Sequence, residues 1–177
     1  MKSEELYRIL RQRLGGWFKD RGFRRSKRGQ LGWHRDSFFL WFQCDKWGWD
    51  PHAGSSFFVN VQLSGPPEPW GGPTERLQYF LSELELEEAR VLQNRVISKL
   101  SPPPPAHMSM LREAFAKTSS DPDALIGALL SQFEPVDYRY RSNQDFSLRY
   151  HDVDDVSEWA AFLFRVLPGI LEKVGAA

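Results

Sequence analysis

Apolar residues recur at helical spacing at the start of the chain: Leu6, Leu10, Leu14 and Trp17, with Ile9 and Phe18 beside them. Arg8, Arg11, Gln12 and Lys19 fall on the opposite side, so the 3.6-residue period predicts an amphipathic helix. Ser3 offers a capping oxygen, and Glu4 and Glu5 complement the helix dipole. Gly15 and Gly16 weaken the last turn, and Gly22 is the expected stop. The pattern then changes. Residues 31–35 read as a short strand, Asp36 and Ser37 as a tight turn, and the run FFLWFQC over 38–44 as a strand apolar on both faces, hence central. Residues 45–56, with Trp47, Gly48, Trp49, Pro51 and Gly54, read as a loop. Over 57–63, Phe57, Val59, Val61 and Leu63 alternate with Phe58, Asn60 and Gln62, which predicts a half-buried strand.

The second half is more helical. After the turn-rich connection SGPPEPWGGP, a helix is expected over 74–100, with a break near Ser82, because Ser82 and Glu85 have capping-box spacing. The proline run 102–105 ends it. Residues 108–117 form a short helix, and Asp121 with Pro122 opens another. Val136, Tyr138 and Tyr140 mark one short strand; Phe146, Leu148 and Tyr150 mark a second. The last helix is expected from Asp154 or Asp155, with Trp159, Phe162, Leu163, Val166 and Leu167 as its buried stripe, continuing past Pro168. This order predicts an α+β fold: an antiparallel sheet of three to five strands with helices packed mainly on one face. A single domain is expected over 1–177, with a helix and β-meander over 1–65. Residues 74–177 add a helical part, one or two short strands and the final helix.

Composition narrows the function classes. The 177 residues include 41% hydrophobic and 26% charged residues, near the globular average, so disorder is excluded. Seven Trp and thirteen Phe point to an aromatic core, with some aromatics available for a binding surface. The lone cysteine, Cys44, allows no internal disulfide and fits a reducing compartment. The charged N-terminus is unlike a secretory signal, and no apolar run spans a bilayer. A cytoplasmic protein without a membrane partner is the expectation. Net charge is zero but segregated: eleven basic against three acidic residues through Arg35, and twelve against twenty in the remainder.

The opening helix, then Gly22-Phe23-Arg24, then Trp41-Phe42-Gln43 with Lys46-Trp47, then Val59-Asn60-Val61 resemble the bacterial family catalogued as domain of unknown function 4304. The tail from about Phe146 to Pro168, a strand ending in RYHD and a helix with a Trp, is compatible with it. The resemblance covers the first 65 residues and, more loosely, the tail. It implies the α+β order and no activity.

No P-loop, dinucleotide fingerprint or nucleophile elbow is present, so no cofactor and no catalytic residue is assigned. His34, His52, His107 and His151 lack metal-ligand spacing, so no metal is assigned. An enzyme site assembled across the fold from His34, Asp50, His52 or His151 is the weakest of three readings. The first reading is a non-enzymatic protein-interaction module, immunity-like or regulatory, whose contact set is Trp41, Gln43, Lys46, Trp47, Trp49, Asn60 and Gln62. Tryptophan is enriched in binding hot spots, and strand alternation places the amides on one face. The same face under a covering element, with Gln43 and Asn60 bonded internally, is equally compatible. The second reading is nucleic-acid binding by the basic segment 19–28, chiefly Arg24, Arg25, Lys27 and Arg28, since phosphate contacts dominate such affinity. A solvated loop explains that segment too, and a sequence pI near 6.9 is low for a dedicated binder.

Overall fold

The computed structural model describes residues 3–26, 30–45, 49–136 and 146–176. Helix α1 (Ser3–Asp20) buries Leu6, Ile9, Leu10, Leu14, Trp17 and Phe18, the stripe read from the sequence. Gly22 stops it at a φ of 77°. There Gly22 N–H donates to Lys19 O and Phe23 N–H to Phe18 O, both at 3.0 Å, a Schellman closure that satisfies two terminal carbonyls.

Among the described residues, six antiparallel strands form one sheet: β1 (Arg24–Arg25), β2 (Gly32–Arg35), β3 (Phe38–Cys44), β4 (Ser55–Gln62), β5 (Thr74–Arg76) and β6 (Leu148–Tyr150). The order is β1-β2-β3-β4-β5, and β6 also pairs with β4. Strand β5 lies along Asn60–Gln62 and β6 along Ser55–Phe57, so the two divide one edge of β4 between them. The second half of the chain thus completes the sheet begun by the first. Asp36, at a φ of 52°, makes the tight β2–β3 turn, a conformation Asp tolerates.

One face of the sheet carries Trp33, Phe38, Leu40, Phe42, Phe57, Val59, Val61, Leu148 and Tyr150. It packs under α1 and α5 (Val153–Lys173). Aromatic pairs fill this core: Phe18 stacks on Trp33 with centroids 4.5 Å apart, and Trp33 meets Phe42 edge-on at 5.9 Å. Trp159 of α5 donates its indole N–H to Arg149 O at 2.7 Å, which docks the helix onto β6.

Three expectations are corrected. Residues 74–76 are strand β5, not helix, because they find the open edge of β4; a 3-10 turn (Leu77–Phe80) follows. Helix α2 (Glu83–Ile97) begins at the Ser82–Glu85 capping box, at the break expected near Ser82. The last helix is capped by Asp152, with Asp155 as its reciprocal partner, so it starts before Asp154. Strand β4 also begins at Ser55, inside the expected loop. The strand expected around Tyr138 and Tyr140 lies outside the described residues.

Helix α2 runs along the outer edge of β6. Gln93 donates Nε2–H to Ser147 O and accepts from Arg149 N–H, both at 3.0 Å, so one amide stands in for the missing strand. Asn94 does the same for Val136, accepting from its N–H at 2.8 Å and donating to its carbonyl at 3.3 Å. Helices α3 (Pro105–Ala116) and α4 (Pro122–Leu130) then form a hairpin. Among the described residues, no helix is long and apolar enough to cross a membrane.

Candidate functional site

The sheet register brings the expected polar-aromatic strip together. Trp41 pairs with Asn60 and Asn60 with Arg76; Gln43 pairs with Phe58 and Phe39 with Gln62. All lie on the face turned away from α1 and α5. The strip is nonetheless not an open contact surface. Trp41, Asn60 and Gln62 are fully buried. The connection 64–73 folds back over them: Trp70 meets Trp41 edge-on at 5.0 Å, and Gln62 donates Nε2–H to Pro66 O at 2.8 Å. Gly65 permits this at a φ of 89°, where a Cβ would strike the backbone of Gly71.

Arg76 covers the rest. Its Nη1 donates to Asn60 Oδ1 at 2.5 Å and Gln43 Oε1 at 3.2 Å, and its guanidinium sits 4.2 Å from the Phe58 ring centre. Trp41 Nε1, Asn60 Nδ2 and Gln62 Oε1 have no hydrogen-bond partner among the described residues. Trp41, Asn60 and Gln62 therefore leave the contact set, because the glycine-rich connection covers them. Arg76 and Trp70, which no local pattern singles out, close this face. Thr74 to Arg76 alternates for too few positions to reveal a strand locally.

Gln43 is half-buried, and Trp49 is 37% exposed. Trp49 donates its indole N–H to His151 O at 2.9 Å. Lys46 and Trp47 lie outside the described residues, as do Lys27 and Arg28. Arg24 and Arg25 are exposed on β1, an edge strand.

On the same face, a half-open cleft of about 710 Å³ separates the sheet from the α3–α4 hairpin. Its walls include Ser56 and Phe58 of β4, Leu111 and Phe115 of α3, and Leu129 of α4. Helix α3 buries none of its residues. Its apolar positions Leu111 and Phe115 are only partly covered, facing the cleft. Arg149 braces the far end, donating to Ala53 O at 2.7 Å and to Gln132 O. The adjoining turn is held by Asp50, whose Oδ1 accepts from His52 N–H at 2.7 Å and Ala53 N–H at 2.8 Å, while Gly54 closes it at a φ of 66°.

The histidines expected in an enzymatic site divide. Asp50, His52 and His151 gather at this turn, with His151 Nε2 3.4 Å from Pro51 O and the His52 ring 6.3 Å from that of His107. His34 sits on β2, separated from β4 by β3. No group of three metal-ligating side chains occurs among the described residues.

Cys44 ends β3 beside Tyr7. Burial pushes its thiol up to about 11, and the hydrogen bond with Tyr7 offsets only part of this. Burial, followed by the Cys44 neighbour, also raises the Tyr7 phenol. The nucleophilic thiolate is therefore scarce at neutral pH. Alkylation by iodoacetamide at pH 8 is expected to be at least about tenfold slower in the native chain than in urea. Equal rates would contradict the buried thiol.

Comparison with protein-family models, with curated proteins and with solved structures finds no match to this chain.

Proposed function

We propose that the protein is a non-enzymatic interaction module that recognises another protein through the cleft between its sheet and the α3–α4 hairpin. The observation that carries this reading is the hairpin itself. It holds Leu111, Phe115 and Leu129 over the sheet face without packing them against it, and so leaves apolar surface available. Trp49 stands beside the Asp50 turn, part-exposed and tethered through its indole N–H, as a binding aromatic is.

The test is a pull-down from native lysate after nuclease treatment, run beside Leu111→Glu. A protein recovered in near-stoichiometric amount by the native chain, and reduced roughly tenfold or more by Leu111→Glu with helix content unchanged, is the expected result. Recovery indifferent to Leu111→Glu overturns the cleft as the site. A second reading is favoured by the exposure of Arg24 and Arg25 on the edge strand. There, recovery would collapse with nuclease and with Arg24→Glu plus Arg25→Glu, and would fall steeply with salt.

A further inference from the structure

We infer that residues 64–73 seal a water molecule against the sheet, and that Trp41, Asn60 and Gln62 are its ligands. The site is built independently of whatever fills the cleft.

Trp41 Nε1–H, the Asn60 Nδ2 amide and Gln62 Oε1 are each buried without a hydrogen-bond partner among the described residues. All three residues are 0% exposed. Trp41 and Asn60 are cross-strand partners, and Gln62 stands two positions beyond Asn60 on the same face. Side chains so placed are roughly 5–8 Å apart at Cβ, close enough for their polar ends to meet one small molecule.

The orientation of both amides is fixed by bonds already made. Asn60 Oδ1 accepts from Arg76 Nη1, which turns the Asn60 N–H groups the other way. Gln62 Nε2 donates to Pro66 O, which leaves Oε1 as the end still to be answered. Flipping Asn60 would set N–H against the guanidinium, and flipping Gln62 would set one carbonyl against another.

The covering chain has little with which to answer them. It reads SGPPEPWGGP, in which proline has no N–H and glycine no side chain. The loop is also folded tightly on its own backbone: a Cβ at Gly72 would lie 2.2 Å from Ser64 O, and one at Gly65 2.5 Å from Gly71 O. Trp70 closes the top, its ring edge-on to Trp41. A buried polar group left alone is costly, and native folds seldom leave one uncompensated.

Two donors and one acceptor define the ligand. The N–H groups of Trp41 and Asn60 repel a cation, and the Gln62 carbonyl repels an anion. Water accepts from both N–H groups and donates to Oε1, and a buried water typically makes about three such bonds. A larger molecule would have to lift Trp70 and break the Gln62–Pro66 bond.

Water–protein cross-relaxation NMR on the full labelled chain tests this. Expected at Trp41 Nε1–H and Asn60 Nδ2–H are cross-peaks of water held longer than the chain takes to tumble. Trp70, 61% exposed, is expected to show only fast surface water. Gln62→Met keeps the side-chain length and removes the acceptor, and the long-lived cross-peaks are expected to be lost from it with circular dichroism unchanged. Absence of long-lived water at Trp41 and Asn60 in the native chain overturns the site, whatever Gln62→Met does. Cross-peaks that persist in Gln62→Met remove Gln62 as a ligand and overturn it too. So does a small molecule other than water retained by the purified chain in native mass spectrometry and released by Gln62→Met.

Discussion

Asp155→Ala is expected to lower stability by about 3 kcal/mol, because the main-chain N–H groups of His151 and Asp152 are left without acceptors at about 1–3 kcal/mol each. Asp155 is 1% exposed at the start of α5. Its Oδ2 accepts from His151 N–H at 2.7 Å and from Asp152 N–H at 3.1 Å, and its Oδ1 accepts from Lys99 Nζ at 2.5 Å. Asp152 returns the bond, its Oδ1 accepting from Asp155 N–H at 3.0 Å. One carboxylate thus joins the end of β6, the cap of α5 and the end of α2. Lys99 is 37% exposed, so it can turn to water, and the loss stays below that of breaking a wholly buried pair. Asn at 155 keeps one acceptor and is expected to lose about half as much. Urea denaturation checks this: a midpoint unchanged by Asp155→Ala would refute the joint.

The pH dependence of this cluster has a defined sign. The hydrogen bond that Lys99 donates to Asp155, ahead of the opposing effect of burial, raises the Lys99 ammonium above its usual value. Its contribution is full below about 10.4, the unfolded value, and is lost as pH rises through the higher folded value. Burial alone would raise Asp152, but the Asp155 N–H and Lys99 outweigh it and hold the carboxyl below its usual range. That contribution is present above about 3.9 and is lost as pH falls through the lower folded value. The cluster therefore holds across neutral pH, and both changes are small because Lys99 and Asp152 are partly exposed and solvent screens them.

Gln93→Leu is expected to cost about 2–4 kcal/mol although it conserves volume and removes no charge. Gln93 is 2% exposed, and its amide supplies both a donor to Ser147 O and an acceptor for Arg149 N–H. Leucine leaves both part-buried main-chain groups without these partners, each at about 1–2 kcal/mol, the lower part of the range for a lost partner. Arg149 also carries the brace to Ala53 and Gln132, so loosening β6 loosens the cleft floor. Faster amide exchange at Arg149, together with a lower urea midpoint, is the expected signature. Gln93→Leu with native exchange at Arg149 would show that β4 and α5 hold β6 without it.

Much of the fold is legible in the residues because the forces that shape it are local. The stripe of α1, the continuous apolar run of β3 and the Ser82–Glu85 box each announce themselves within a few positions, and each stands where expected. The candidate site is legible only in part. Alternation along β3 and β4 correctly puts Trp41, Gln43, Asn60 and Gln62 on one face, since a strand turns its side chains alternately. Nothing local says whether that face is open.

Sequence pattern alone determined the main helices and the central strands, the aromatic core and the α+β order, through periodicity and capping chemistry acting over one or two turns. Tertiary structure decided which strand edges found partners, that residues 64–73 and Arg76 would cover the amide strip, and that the α3–α4 hairpin would leave a cleft beside it. Those outcomes depend on pairing and burial between segments far apart in the chain. Their free energy belongs to the assembled surfaces and is written in no single window of residues.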